Sequence, residues 1–195
     1  MTDPAHTLNS PTLLFIQGAG DMWASDGSGV LLNYLREQLG DEMTILGPEM
    51  PDAAIGPTYA KWSAQIAKLV GSIDSPLVLV GHSVGASVIL KWLAETKAPG
   101  NLVALYLAST PWWGADGWGY DEFGLPDGFE KRLPGMPIFL YHSSEDPHVP
   151  IEHLRIYERH LPSAHVRVIP GAEHSFTNGL PELVEDVRAT AGGRA

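Results

Sequence analysis

The sequence predicts an α/β fold, a parallel sheet with helices on both faces, and three observations carry that expectation. Six short apolar runs alternate with amphipathic stretches along the 195 residues. The run Leu77–Val80 is rich in branched residues and lacks a polar alternate, as a strand buried on both faces does,. The third observation is a change of period: the run Leu77–Val80 gives way, across Gly81-His82-Ser83-Val84-Gly85, to the helical spacing of Ala86, Ile89, Leu90 and Leu93.

Taken in order, Met1 to Pro11 is a polar lead-in and Thr12 to Ile16 the first strand. The turn Gln17-Gly18-Ala19-Gly20-Asp21 and a second glycine group at 27 to 29 precede a helix with Leu31, Leu35 and Leu39 on one face, stopped by Gly40,. Gly18-x-Gly20 is half of a dinucleotide fingerprint, but Trp23 stands where the third glycine belongs, so no cofactor is expected,. Met43 to Leu46 is a short strand. From Thr58 to Val70, Tyr59, Trp62, Ile66, Leu69 and Val70 line one side of a helix and Lys61, Gln65 and Lys68 the other, the stripe of a helix covering a sheet,. After the central strand and its helix come strands at Leu102 to Ala108, Pro137 to Tyr141 and Val166 to Ile169, with helices from about Pro150 to Leu161 and Leu180 to Ala191. The segment 111–135 follows no period and gathers Trp112, Trp113, Trp118, Tyr120 and Phe123. A loop of that length in a compact domain is usually functional. It reads either as a small flap over a site, with Trp112 and Trp113 against the substrate, or as aromatic packing of a surface excursion.

The length suits one domain over 12–191, enough to bury roughly 70% of its unfolded surface. A formal net charge of −11 opposes nucleic-acid phosphates and anionic lipid,. Cysteine is absent, which removes disulfides, thiolate metal sites and a cysteine nucleophile together,. The first residues have neither a basic nor an apolar leader region, and no run approaches the roughly 18 apolar residues that span a bilayer. A cytoplasmic protein is expected.

Gly81-His82-Ser83-Val84-Gly85 is a G-x-S-x-G pentapeptide following a buried strand and opening a helix, the context in which a serine sits at the apex of a strained turn,. A side chain at either glycine would collide as the chain doubles back. A serine hydroxyl needs a base and a group to orient that base. The expected order is serine, then acid, then histidine. The strand ending at Tyr141 runs into Glu145-Asp146-Pro147, and the last strand into Gly171-Ala172-Glu173-His174. Asp146 is preferred to Glu145, because Asp-Pro sets the turn and a shorter side chain fits a fixed position. His174 is the one histidine of eight on the right loop; His82 is expected to face away from Ser83. The oxyanion donors are the N–H of Val84 and that of Ala19, with Gly20 its nearest rival. Metal binding by His142, His148 and His153 is not expected, because their spacing matches no zinc-protease helix.

These residues, with Phe15-Ile16-Gln17-Gly18-Ala19-Gly20, Met50-Pro51-Asp52 and Asp146-Pro147-His148-Val149-Pro150, resemble a small α/β-hydrolase along the whole chain. The chain is similar to the short, nearly capless serine hydrolases related to retinoblastoma-binding protein. The resemblance implies a six-stranded, mostly parallel sheet, a triad of Ser83, Asp146 and His174, no cofactor, and hydrolysis of a small acyl ester, amide or thioester. The family's association with protein binding leaves a non-catalytic interaction module, with a protein partner, as the alternative. Gln17 departs from the His-Gly turn of larger hydrolases.

Overall fold

Strand residues alternate between two cores, and that alternation sets the architecture. The computed structural model describes residues 10–114, 116–119, 121–171 and 173–191. Most of the lead-in, Tyr120 of the predicted flap and the tail from Gly192 lie outside the described residues. The strands are β1 (Thr12–Ile16), β2 (Thr44–Leu46), β3 (Leu77–His82), β4 (Leu102–Ala108), β5 (Ile138–Ser143) and β6 (His165–Ile169). They form one sheet in the order β2-β1-β3-β4-β5-β6, and every pairing is parallel. The helices are α1 (Gly29–Leu39), α2 (Tyr59–Val70), α3 (Val84–Glu95), α4 (Ile151–His160) and α5 (Pro181–Ala191).

Leu14, Ile16, Leu77, Leu79, Leu105, Leu107 and Leu140 point to one face, where α2, α3 and α4 cover them. Their neighbours Leu13, Phe15, Val78, Val80, Tyr106, Phe139 and Tyr141 point to the other, where α1 and α5 lie. Helices α1 and α2 present the stripes their sequences predict. Trp62, Ile66 and Val70 are the buried residues of α2, and Leu31, Leu32, Leu35 and Leu39 bury the side of α1. Helix α3 is buried on nearly every side, consistent with its apolar composition and its place behind the central strand,. The result is a minimal α/β-hydrolase fold with the layering and strand count expected from the sequence.

The segment 111–135 carries more order than its lack of period suggests. It contains single 3-10 turns at Asp121–Phe123 and Phe129–Lys131 and an isolated bridge between Trp113 and Trp118. Phe123 and Phe129 are buried in the core shared with α3, and Trp112 and Trp113 pack against it. Among the described residues no helix is long and apolar enough to cross a membrane.

On the opposite face, a polar cluster fastens α5 to the sheet. The buried Asp186 accepts from the Tyr141 hydroxyl at 2.6 Å and from Arg167 Nε at 2.7 Å. Burial raises the Asp186 pKa, but the hydrogen bonds from Arg167 and Tyr141 outweigh it and hold the carboxyl below its ordinary value. Arg167 is partly exposed, so its Coulomb contribution is small,; the larger cost of breaking the cluster is the stranded Tyr141 hydroxyl. Asp186→Ala is expected to lower stability by about 1–3 kcal/mol, and Asp186→Asn, which still accepts from Tyr141, by less. Urea unfolding monitored by tryptophan fluorescence checks both.

Candidate active site

The carboxyl ends of β1, β3, β5 and β6 open on one edge, and each contributes a loop to a single site. Ser83, between β3 and α3, has φ 52° and ψ −125°, a backbone conformation that a non-glycine residue adopts only when its surroundings enforce it,. The two glycines supply that enforcement by letting the chain close up. A Cβ at Gly81 would lie 2.6 Å from Ala86 Cα, and one at Gly85 would lie 2.3 Å from the Gln17 carbonyl oxygen. Ser83 N–H donates to the Ala108 carbonyl at 2.8 Å, which holds the elbow to the neighbouring strand.

The structure brings together the three residues predicted to form the triad. His174 Nε2 lies 3.1 Å from Ser83 Oγ, and His174 Nδ1 lies 2.8 Å from Asp146 Oδ2. The Asp146 side chain is fully buried, and its other oxygen accepts the N–H groups of His148 at 2.8 Å and Val149 at 2.9 Å. This is an Asx-type turn that aims Oδ2 at the histidine. Burial raises the Asp146 pKa, but the His174 hydrogen bond and the two backbone donors prevail and hold the carboxyl well below the usual carboxylate range,. Glu145, the rejected neighbour, is exposed. His148, also exposed, sets its ring edge-on to His174 with centroids 5.1 Å apart.

The loop after β1 packs directly on the elbow. A Cβ at Gly18 would lie 3.0 Å from Ser83 Cβ. The N–H groups on either side of Ala19 are engaged: Gly18 donates to Ser28 Oγ at 2.8 Å and Gly20 to the Ala53 carbonyl at 2.8 Å. Ala19 itself is exposed, while Val84 is the first residue of α3, where helix N–H groups lack an intrahelical acceptor,. Gln17, the departure from the histidine of larger hydrolases, has a structural task. Its Oε1 accepts from Met50 N–H at 2.9 Å and its Nε2 donates to the Gly20 carbonyl at 3.4 Å, so one side chain joins the loops after β1 and β2. Between those loops lies a cleft of about 280 Å³ lined by Gln17, Gly20, Met22, Met50, Ala53 and Ile55 among others, a feature the sequence did not disclose.

Trp112 and Trp113 diverge. The Trp113 indole N–H donates at 2.8 Å to Ser87 Oγ, one helical turn beyond Ser83. Trp112 stacks on His160 with centroids 4.9 Å apart and meets Tyr157 edge-on at 5.1 Å, so its ring is turned toward α4. Of the remaining histidines, His142 Nε2 donates to the Val149 carbonyl at 2.7 Å, and His153 Nδ1 accepts Trp112 N–H at 2.7 Å. Among the described residues no group of three His, Cys, Asp or Glu side chains is placed to hold a metal ion. Two buried polar residues at the site were missed from sequence. Ser28 Oγ lies 2.7 Å from His82 Nδ1, and Ser109, at φ 49°, donates to the His174 carbonyl at 3.0 Å.

Solved structures share this fold at low identity. The ydeN gene product from B. subtilis is 18% identical, with a TM-score of 0.75, covering 95% of this chain and 100% of that one. The CarC serine hydrolase involved in carbazole degradation is 12% identical, with a TM-score of 0.71 and coverage of 95% and 92%. Est1E from Butyrivibrio proteoclasticus with ferulic acid bound is 17% identical, with a TM-score of 0.68 and coverage of 93% and 88%. No curated protein sequence matches the chain. The pattern of the serine hydrolase family matches residues 34–178, most of the chain and a span that takes in Ser83, Asp146 and His174; the chain belongs to the serine hydrolase family and is an enzyme of that type.

Proposed function

We propose that the protein cleaves small acyl esters, or the related thioesters and amides, through an acyl-enzyme on Ser83. The observation that carries this reading is the unbroken line from Asp146 Oδ2 through His174 to Ser83 Oγ, with contacts of 2.8 and 3.1 Å. As Ser83 Oγ attacks the substrate carbonyl carbon, its proton passes to His174 Nε2. Asp146 accepts the Nδ1–H throughout and stabilises the imidazolium. The carbonyl oxygen becomes an oxyanion facing the N–H groups of Ala19 and Val84. Collapse of that intermediate breaks the bond to the leaving group, which takes the proton from His174. Water then attacks the acyl-enzyme with His174 again as base, releasing the acid and restoring Ser83.

We assign the cleft beside the β1 loop, whose lining reaches Gly20 next to Ala19, to a small acyl or leaving group, and Trp113 to a separate substrate wall on the α3 side. Trp112 is assigned to the same wall from behind, and 111–135 to its cover, within one domain spanning 12–191. Ester chemistry is also the activity suggested by an esterase from Rhodococcus and by a thioesterase domain from the curacin biosynthetic pathway, both of which share the fold. The reading places the reaction in the cytoplasm. Treatment of the pure protein with a fluorophosphonate, followed by peptide mapping, is expected to find the label on Ser83 and none in Ser83→Ala. A folded protein that takes up no label would overturn the hydrolase reading in favour of an interaction module.

A further inference from the structure

His82 is the residue inside the elbow that the proposed reaction does not use. Its ring is 2% exposed and lies 4.9 Å, centroid to centroid, from that of His174. Its two nitrogens face different loops: Nδ1 is 2.7 Å from Ser28 Oγ, and Nε2 is 2.9 Å from the His174 carbonyl oxygen.

The polarity of this chain has one solution. A carbonyl oxygen only accepts, so His82 Nε2 carries the proton and donates it to His174. The neutral ring then presents a lone pair at Nδ1, which must receive a proton from Ser28 Oγ. Ser28 Oγ spends its proton there and accepts the N–H of Gly18 at 2.8 Å. The line thus begins at the residue before Ala19 and ends on the peptide of His174. Ser109 Oγ adds a second donor to the same carbonyl at 3.0 Å. Resting on the triad reading above, we propose that His82 is a positioning residue that couples the oxyanion loop to the base, holding Gly18 through Ser28 and His174 through its backbone carbonyl.

The coupling suits the reaction in two ways. A carbonyl gripped by two donors fixes the peptide plane of His174, and with it the direction in which the imidazole leaves the backbone. Burial, aided by the His174 charge, also lowers the His82 pKa to about 3. His82 therefore stays neutral while an imidazolium forms on its neighbour, and no like charge opposes that step.

The test compares His82→Phe, which keeps the ring and removes both nitrogens, with His82→Gln, whose amide N–H can reach the His174 carbonyl, and with Ser28→Ala. With p-nitrophenyl acetate, His82→Phe is expected to lose about 10- to 100-fold in kcat with KM unchanged, since the base is displaced while the ester never touches His82. His82→Gln is expected to recover most of that loss, and Ser28→Ala to lose about three- to tenfold. The low-field proton NMR signal of His174 Nδ1–H should move in His82→Phe and return in His82→Gln. Wild-type kcat and an unmoved proton in His82→Phe would overturn the coupling, as would a glutamine variant no better than phenylalanine. If His82→Phe does not fold, Ser28→Ala decides: its retention of wild-type kcat and an unshifted proton would equally overturn the coupling. The proton signal reads the coupling without turnover, so its failure is distinct from failure of the hydrolase reading, which is absence of label at Ser83.

Discussion

Ser83→Ala is expected to lower kcat toward a p-nitrophenyl ester by about 10⁴- to 10⁶-fold, His174→Ala by nearly as much, and the double variant by no more than either. The reason is that the two side chains act on one event. Without the base, the hydroxyl 3.1 Å away is an alcohol at its ordinary reactivity; without the hydroxyl, the base has no proton to take,. Residual turnover in all three should come from the oxyanion donors proposed above, the N–H groups of Ala19 and Val84, which none of the substitutions removes. The fold should survive Ser83→Ala, because alanine removes a hydroxyl whose assigned partner is the catalytic histidine and relieves none of the packing around Gly81 and Gly85. Steady-state rates on the three variants, with circular dichroism to verify folding, check the prediction. Losses that add in free energy would dissolve the triad.

Stability is expected to fall as pH drops from 8 to 5, well before the carboxylates titrate. Burial is the main cause lowering the pKa of His82, His142 and His153. An unfolded chain protonates these rings near 6.5. Between that value and the depressed folded one, unfolding takes up protons, so the stability contribution is complete above about pH 6.5 and is lost as pH falls toward the folded value. For His82, with a folded value of about 3, the loss between pH 8 and pH 5 is about 2 kcal/mol,. Asp146 and Asp186, whose carboxyls are held below their ordinary values, add a further loss in the same direction below about pH 4,. Urea midpoints measured across this range check the slope. A flat profile from pH 8 to 5 would contradict it, and His82→Phe should be flatter than the unsubstituted chain.

What could be read from the sequence was whatever the backbone enforces locally. Leu77–Val80 announces a doubly buried strand, Gly81 and Gly85 announce the sharp turn, and Asp146-Pro147 announces a loop whose acid is held by its own backbone. What could not be read depends on residues that meet only after folding. Ser28 sits in a glycine-rich turn and looks like a spacer until His82, 54 positions later, is brought beneath it. His82 was expected to point away from Ser83, a statement about one turn that says nothing of the loop after β6 packed against that turn. The segment 111–135 shows no period because α3 and α4 order it from outside, through Ser87 and Tyr157, whose hydroxyls both donate to the Pro111 carbonyl. The cleft is likewise a product of two loops, joined by Gln17 to a backbone group 33 positions away.

The sheet order has a consequence for how the enzyme comes into being. Strand β1 lies inside the sheet, yet its pairing with β3 must wait while α1, β2 and α2 are synthesised, and Ser83 finds its base 91 positions further on. Parallel pairings at such separations form slowly, because the chain must close a long loop before any contact rewards it. The segment carrying Ser83 is therefore synthesised before the loop after β6 that carries His174, 91 positions on. Until that loop is made and packed, Ser83 lacks the partner that stands 3.1 Å from its hydroxyl in the folded protein.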